Sequence, residues 1–140
     1  MKTALFVTEC SIDSAFTLRN WLANTAHESI RLTIVLPYEI LPGEPLHKSA
    51  CNPAKAEAQA RLDHWSAILG DNQITVITTE TLFGSAKQAL HLHLLIRSYD
   101  YWLVDERAMP DKVDLGSLLN HPGKLTRLVL MSEKFAFVRV

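Results

Sequence analysis

The stretch Thr3 to Leu22, reading Thr-Ala-Leu-Phe-Val-Thr-Glu-Cys-Ser-Ile-Asp-Ser-Ala-Phe-Thr-Leu-Arg-Asn-Trp-Leu, decides the fold. Leu5, Phe6 and Val7 form a short apolar run of the kind that makes a strand buried on both faces. Ser11 to Ser14 supplies side-chain oxygens that accept hydrogen bonds from the open N–H groups at a helix start. The stretch therefore predicts strand, turn and helix, and the chain downstream repeats that plan.

The first helix is expected to end near His27 to Ser29. Ile30 to Leu36 reads as a second strand, ended by Pro37. Beyond it, Leu41-Pro42-Gly43-Glu44-Pro45 forbids regular structure, because two prolines lack donors and Gly43 permits a turn, so Tyr38 to Asn52 reads as a long loop. Pro53 fits the first turn of a second helix, Ala54 to Leu69, in which Ala58, Leu62, Trp65 and Leu69 recur at helical spacing up to the stop at Gly70. Ile74 to Ile77 is a β-branched third strand. Gly84-Ser85 opens a third helix, Ala86 to Arg97, and Tyr101 to Val104 is the fourth strand.

The end of the chain supports two readings. In one, Leu125 to Met131 is a short helix and Phe135 to Val140 the fifth strand. In the other, Leu128 to Met131 is a strand and Phe135 to Val140 its hairpin partner across Ser132-Glu133-Lys134. Either way, alternating strands and helices imply a three-layer, doubly wound α/β domain with a mainly parallel sheet and right-handed crossovers.

The chain's 140 residues and 48% apolar content suit one domain, residues 1–140. Fourteen basic against fifteen acidic residues give a net charge of -1, so no strong field draws the chain to nucleic acid or anionic lipid. The sequence lacks an apolar run of membrane-span length and opens without the long apolar segment of a secretory signal, so a cytoplasmic location is expected. Cys10 and Cys51 are too few for a disulfide framework and are read as free thiols.

From end to end the chain resembles the universal stress protein family. Thr8-Glu9-Cys10-Ser11-Ile12-Asp13-Ser14 resembles the family's Thr-Asp-x-Ser-x-x-Ser turn after strand one, with Glu9 in place of aspartate. Gly84-Ser85-Ala86 is similar to its Gly-x-Pro-type start of the third helix, and Tyr99 to Val104 to its Ala-Asp-Leu-Ile-Val fourth strand. Val129-Leu130, a break, then Phe135 to Val140 is similar to the family's Val-Leu, loop, Pro-Val-Leu-Val-Val ending, which favours the helix reading of Leu125 to Met131. The resemblance implies a flavodoxin-like, Rossmann-like sheet of five strands in the order 3-2-1-4-5 and a homodimer paired through the last strand.

It also raises ATP. The ATP-binding branch carries Gly-x2-Gly-x9-Gly-Ser/Thr after strand four, where missing Cβ atoms let backbone N–H groups reach phosphates. Here Asp105 and Ala108 stand where the first two glycines belong, and Lys124 follows Gly123 in place of Ser or Thr. Asp105 and Glu106, offset only by Arg107, would repel a triphosphate. No cofactor is expected, and tight ATP binding is disfavoured.

In such a sheet the ligand crevice lies beyond the carboxyl ends of the strands where the order reverses, between strands one and four. The candidate ligand residues are Glu9, Cys10, Ser11, Pro37, Asp105, Glu106 and Arg107. Against them stands the plainer reading, in which Ser11 or Asp13 caps a helix and Asp105 to Arg107 is a polar turn. Cys10 lies near a helix N-terminus, a position able to lower a thiol's pKa, yet neither a general base nor an oxyanion site is identifiable by spacing, so nucleophilic catalysis is not expected. His91 and His93, two apart on a helix, cannot chelate jointly, so no metal site is expected. Phe135, Phe137, Val138 and Val140 make an apolar edge that pairing in a homodimer would bury, unless Tyr38 to Asn52 or Met109 to Gly123 covers it. The favoured function is a non-catalytic, homodimeric binding or regulatory module; the alternative is a nucleotide-binding switch or weak ATP hydrolase using the crevice.

Overall fold

A computed structural model describes residues 2–24, 29–39, 48–70, 75–105, 126–130 and 137–139. β1 (Lys2–Val7), α1 (Ile12–Asn24), β2 (Ile30–Tyr38), α2 (Lys48–Ala67), β3 (Thr75–Phe83), α3 (Ala86–Ile96), β4 (Tyr101–Asp105), β5 (Thr126–Leu130) and β6 (Phe137–Arg139) follow in chain order. They build one sheet in the order β3-β2-β1-β4-β5-β6. The first five strands run parallel in the expected order, and β6 returns antiparallel on β5.

β1 is the axis. Its Ala4, Leu5 and Phe6 are fully buried, and it pairs with β2 from Lys2↔Ile30 to Val7↔Val35 and with β4 from Ala4↔Tyr101 to Phe6↔Leu103. Side chains alternate between the faces. Ala4 and Phe6 join Ile34, Leu103, Leu128 and Leu130 under α1 and α2, against Leu18, Trp21, Leu62 and Trp65. Leu5 joins Val35, Trp102 and Val104 under α3, against Ala89, Leu90, Leu94 and Tyr99. The amino-terminal end of the sheet is pinned by Asp100, whose carboxylate accepts from the Thr3 backbone N–H at 2.9 Å while its own N–H donates to the Thr3 carbonyl at 2.9 Å.

Four boundaries depart from the sequence reading. β2 runs through Pro37 to Tyr38, because its pairing with β1 ends at Val35 and a proline is tolerated where a strand has a neighbour on only one side. α2 starts at Lys48, six residues early, so Pro53 lies inside the helix. β3 continues past Ile77 to Phe83 in unbroken register with β2; its threonines concealed it, since an edge strand needs no apolar run.

The fourth departure concerns the terminus. Thr126 to Leu130 is strand β5, with Phe137 to Arg139 as its hairpin partner, so the helix reading of Leu125 to Met131 is incorrect. The register of β5 with β4 on one side and β6 on the other makes it a strand, and the burial of Leu128, Val129 and Leu130 in succession fits one covered on both faces. The fifth parallel strand is therefore not Phe135 to Val140. Phe135, Val140 and most of the expected loops at Tyr38 to Asn52 and Met109 to Gly123 lie outside the described residues.

Trp65 ties the helices to the sheet. Its ring stacks on Phe6 with centroids 6.2 Å apart, and its indole N–H donates to the Ser11 carbonyl at 2.8 Å. Trp65→Phe keeps an aromatic ring but loses that bond and some volume. Equilibrium urea unfolding is expected to show a loss of roughly 1–3 kcal/mol.

Candidate functional site

At the carboxyl edge of the sheet, the ends of β2 and β3 and the facing side of α2 enclose an open groove of about 630 Å3. Leu36, Pro37, Tyr38 and Glu39 come from β2 and its exit, and Ala54, Glu57, Ala58 and Arg61 from α2. Those four helical positions follow the i, i+3, i+4, i+7 spacing of one helix face. The two alanines keep the helix low over the strand ends, and the two charged residues flank the opening. Gly84, Ser85 and Ala86, the entry to α3, close the far wall.

That entry is locked in place. Ser85 Oγ accepts from the Gln88 N–H at 3.2 Å and the Gln88 side chain accepts from the Ser85 N–H at 2.9 Å, a reciprocal cap that satisfies two of the open donors of the first turn. Gly84 has φ +136, and a Cβ there would stand 2.8 Å from the Gln88 amide oxygen. Glycine is required.

The turn after β1 is equally committed to structure. Ser11 caps α1, its Oγ accepting from the Ser14 N–H at 3.2 Å, while its carbonyl accepts from Ser14 Oγ as well as from Trp65. Thr8 Oγ1 accepts from the Cys10 N–H at 3.0 Å and lies 3.1 Å from Ser14 Oγ. Cys10 takes the left-handed conformation, φ 64. Glu9 is exposed, and its carbonyl accepts from the Arg61 guanidinium at 2.9 Å, which links this turn to the groove. Asp105 ends β4, buried, and carrying the β1–β4 register two residues on sets it level with Thr8.

The candidate residues are thus divided. Glu9, Cys10, Ser11 and Asp105 gather at the switch point between β1 and β4, Pro37 lines the groove on the other side of β1, and Glu106 and Arg107 lie outside the described residues. Sequence reasoning missed Tyr38, Glu39, Glu57 and Arg61. The stripe Ala54, Glu57, Ala58, Arg61 was the available signal, a small-and-charged face on a helix otherwise anchored by Leu62 and Trp65.

No protein-family model and no curated protein sequence matches the chain. Among solved structures, a universal stress protein in complex with cAMP matches with a TM-score of 0.62 and 17% identity, over 94% of this chain and 98% of that one. The hypothetical protein PH0823 matches with a TM-score of 0.67 and 14% identity, over 95% of this chain and 98% of that one. The chain has the universal stress protein fold.

On this universal stress protein fold two polar groups test for catalysis. Burial pushes the Cys10 thiol up to about 11, with the Arg61 charge opposing. The helix start therefore does not lower it: that start is already occupied by Ser11, and loss of water outweighs the nearby cation. The second group is at the opposite edge. His93, 4% exposed, has Nδ1 3.1 Å from the Tyr99 hydroxyl and Nε2 3.4 Å from the Glu80 carboxylate, whose other oxygen accepts from Arg97 at 2.9 Å. This is the order carboxylate, imidazole, hydroxyl, but Tyr99 is itself buried beneath α3, so the set fastens β3 to α3. Among the described residues no group of three or more His, Cys, Asp or Glu could hold a metal ion, and no helix is long and apolar enough to cross a membrane.

Two measurements follow from these environments. Iodoacetamide should alkylate Cys10 more slowly than a free cysteine at neutral pH, the rate climbing as the pH approaches the raised value, because only the thiolate reacts. For His93, burial lowers the pKa, with Glu80 opposing and Arg97 adding to the lowering. The unfolded chain then binds the proton more tightly, so stability is lost as pH falls below about 6.5. Urea midpoints should fall with acid more steeply for the unaltered chain than for His93→Gln.

Proposed function

We propose that the chain is a non-catalytic binding or regulatory module that works as a homodimer and takes a small ligand in the groove between β2, α2 and the entry to α3. The observation that carries this reading is the groove itself, at the carboxyl edge where open α/β sheets bind ligands. Its lining offers an aromatic ring at Tyr38, acceptors at Glu39 and Glu57, and a donor at Arg61. Support for the non-catalytic part comes from Cys10, whose raised pKa disfavours a nucleophilic role.

A nucleotide-binding switch is the second reading, favoured by one specific observation: a solved protein of the same fold is in complex with cAMP. Against ATP stand the two carboxylates of the groove, the reciprocal cap that already uses two of the donors at the α3 entry, and the absence from the sequence of glycines at the spacing a phosphate loop needs.

Calorimetric titration of nucleotide-stripped protein with ATP and magnesium, then with cAMP, separates the readings. No saturable heat is expected at sub-millimolar ATP; saturable binding would put the switch first. For the groove itself, small-molecule fragments should perturb amide signals of Tyr38, Glu57 and Arg61. In Ala54→Trp, where an indole fills the groove, those perturbations should vanish while stability changes by no more than about 1 kcal/mol. Perturbations that persist in Ala54→Trp would place the ligand elsewhere.

A further inference from the structure

Four polar side chains meet on the face of the sheet that carries α3. Glu80 stands on β3, His93 lies in the last turn of α3, Arg97 caps that helix, and Tyr99 follows in the link to β4. A carboxylate only accepts, so the Glu80 oxygen 3.4 Å from Nε2 of His93 favours the tautomer with its proton on that nitrogen. Nδ1 is then the acceptor, and the Tyr99 hydroxyl, 3.1 Å away, donates to it. Arg97 donates to the other Glu80 oxygen at 2.9 Å and stands beside the Tyr99 hydroxyl. In this state each polar group has a partner, and the charges of Glu80 and Arg97 cancel.

One proton undoes the arrangement. It enters at Nδ1, which then donates, so the Tyr99 hydroxyl must turn its own hydrogen away from the ring. That hydroxyl is left between an imidazolium and a guanidinium, and its hydrogen loses the acceptor it had. The site also gains a net positive charge where His93 is 4% exposed and Tyr99 8%. We infer that these four residues form an acid-released latch: protonation of His93 frees the last turn of α3 from β3 while the sheet stays folded. Nothing else on the elements around His93 offsets the new charge. β1 and β2 present Leu5, Val7 and Val35 on this face, and β4 presents Trp102 and Val104. The Asp100 carboxylate is held by Thr3, Arg31 stands about 13 Å from Val35 along β2, and Lys87 and His91 lie on other sides of α3. Burial lowers the hold of His93 on a proton, with Glu80 opposing and Arg97 adding to the lowering, so the freed imidazole binds the proton more tightly and falling pH drives release. Release is local because α3 covers only the cluster around Leu5, whereas the cluster around Phe6 is held by α1 and α2 on the opposite face.

Amide hydrogen exchange of the full chain at pH 7.5 and pH 5, corrected for intrinsic rates, tests the latch. Protection of Leu94 and of Arg97, whose N–H donates to the His93 carbonyl at 3.0 Å, is expected to fall roughly tenfold in acid. An imidazole of ordinary pKa in the released turn sets a ceiling of about thirtyfold. Low urea should hardly change exchange at these two amides, because the opening exposes little surface, while Leu5 and Phe6 in β1 should stay better protected and respond to urea. His93→Gln should abolish the acid effect at Leu94 and Arg97. If that variant does not fold, the titration of His93 followed by NMR decides, since removing the opposing cation in Arg97→Gln should raise its midpoint. Protection of the α3 turn that is flat with pH, that falls equally in His93→Gln, or that matches β1 in rate and urea response overturns the latch, as does an unmoved midpoint in Arg97→Gln.

Discussion

Everything in this domain is placed by the double pairing of β1. A strand paired on both sides and buried on both faces has no freedom of register, since a shift of one residue would exchange the set led by Phe6 with the set led by Leu5. With β1 fixed, β2 and β4 are fixed, and so are the points where the chain leaves the sheet. Asp100 secures the amino-terminal end, and the Ser11 carbonyl, shared by Ser14 and Trp65, secures the carboxyl-terminal end.

The carboxyl edge therefore has two neighbouring regions with different duties. At the switch point, polar groups are spent on each other: Thr8 with Cys10 and Ser14, Ser11 with the helix it caps. One ridge away, Glu39 and Glu57 are exposed at the groove, Tyr38 lines it half-buried beside Phe83, and Arg61 spans the two regions by holding the Glu9 carbonyl. Binding capacity lies where side chains are left over after the backbone has been satisfied. That condition points to the groove ahead of the turn.

The alternation of strands and helices was legible because strand-turn-helix units announce themselves through short apolar runs and through serines placed ahead of helices, whereas the order 3-2-1-4-5 came from the resemblance of the turn after β1, the α3 entry and β4 to the universal stress protein family. Four things were not legible. The second half of β3, beyond Ile77, hid behind threonines, which suit an edge strand but carry no periodic apolar signal. The terminus was misread because Leu128 to Leu130 is too short for periodicity to separate a helix from a buried strand, and only its pairing with β4 and β6 decides it. The environment of Cys10 was hidden because spacing reveals the nearby helix start but not the loss of water around the thiol. The groove escaped because its walls come from segments far apart in sequence, joined only by the fold.

The cap at the entry to α3 ties two positions into one heritable unit. The backbone at Gly84 is one that side chains rarely adopt, and the space a Cβ would need is filled by the very oxygen that holds the Ser85 N–H. A substitution at 84 thus displaces Gln88, and one at 88 frees a donor beside the groove. Descendants of this chain are expected to keep the pair together or to exchange both, so that covariation between 84 and 88 would record the history of the groove's far wall.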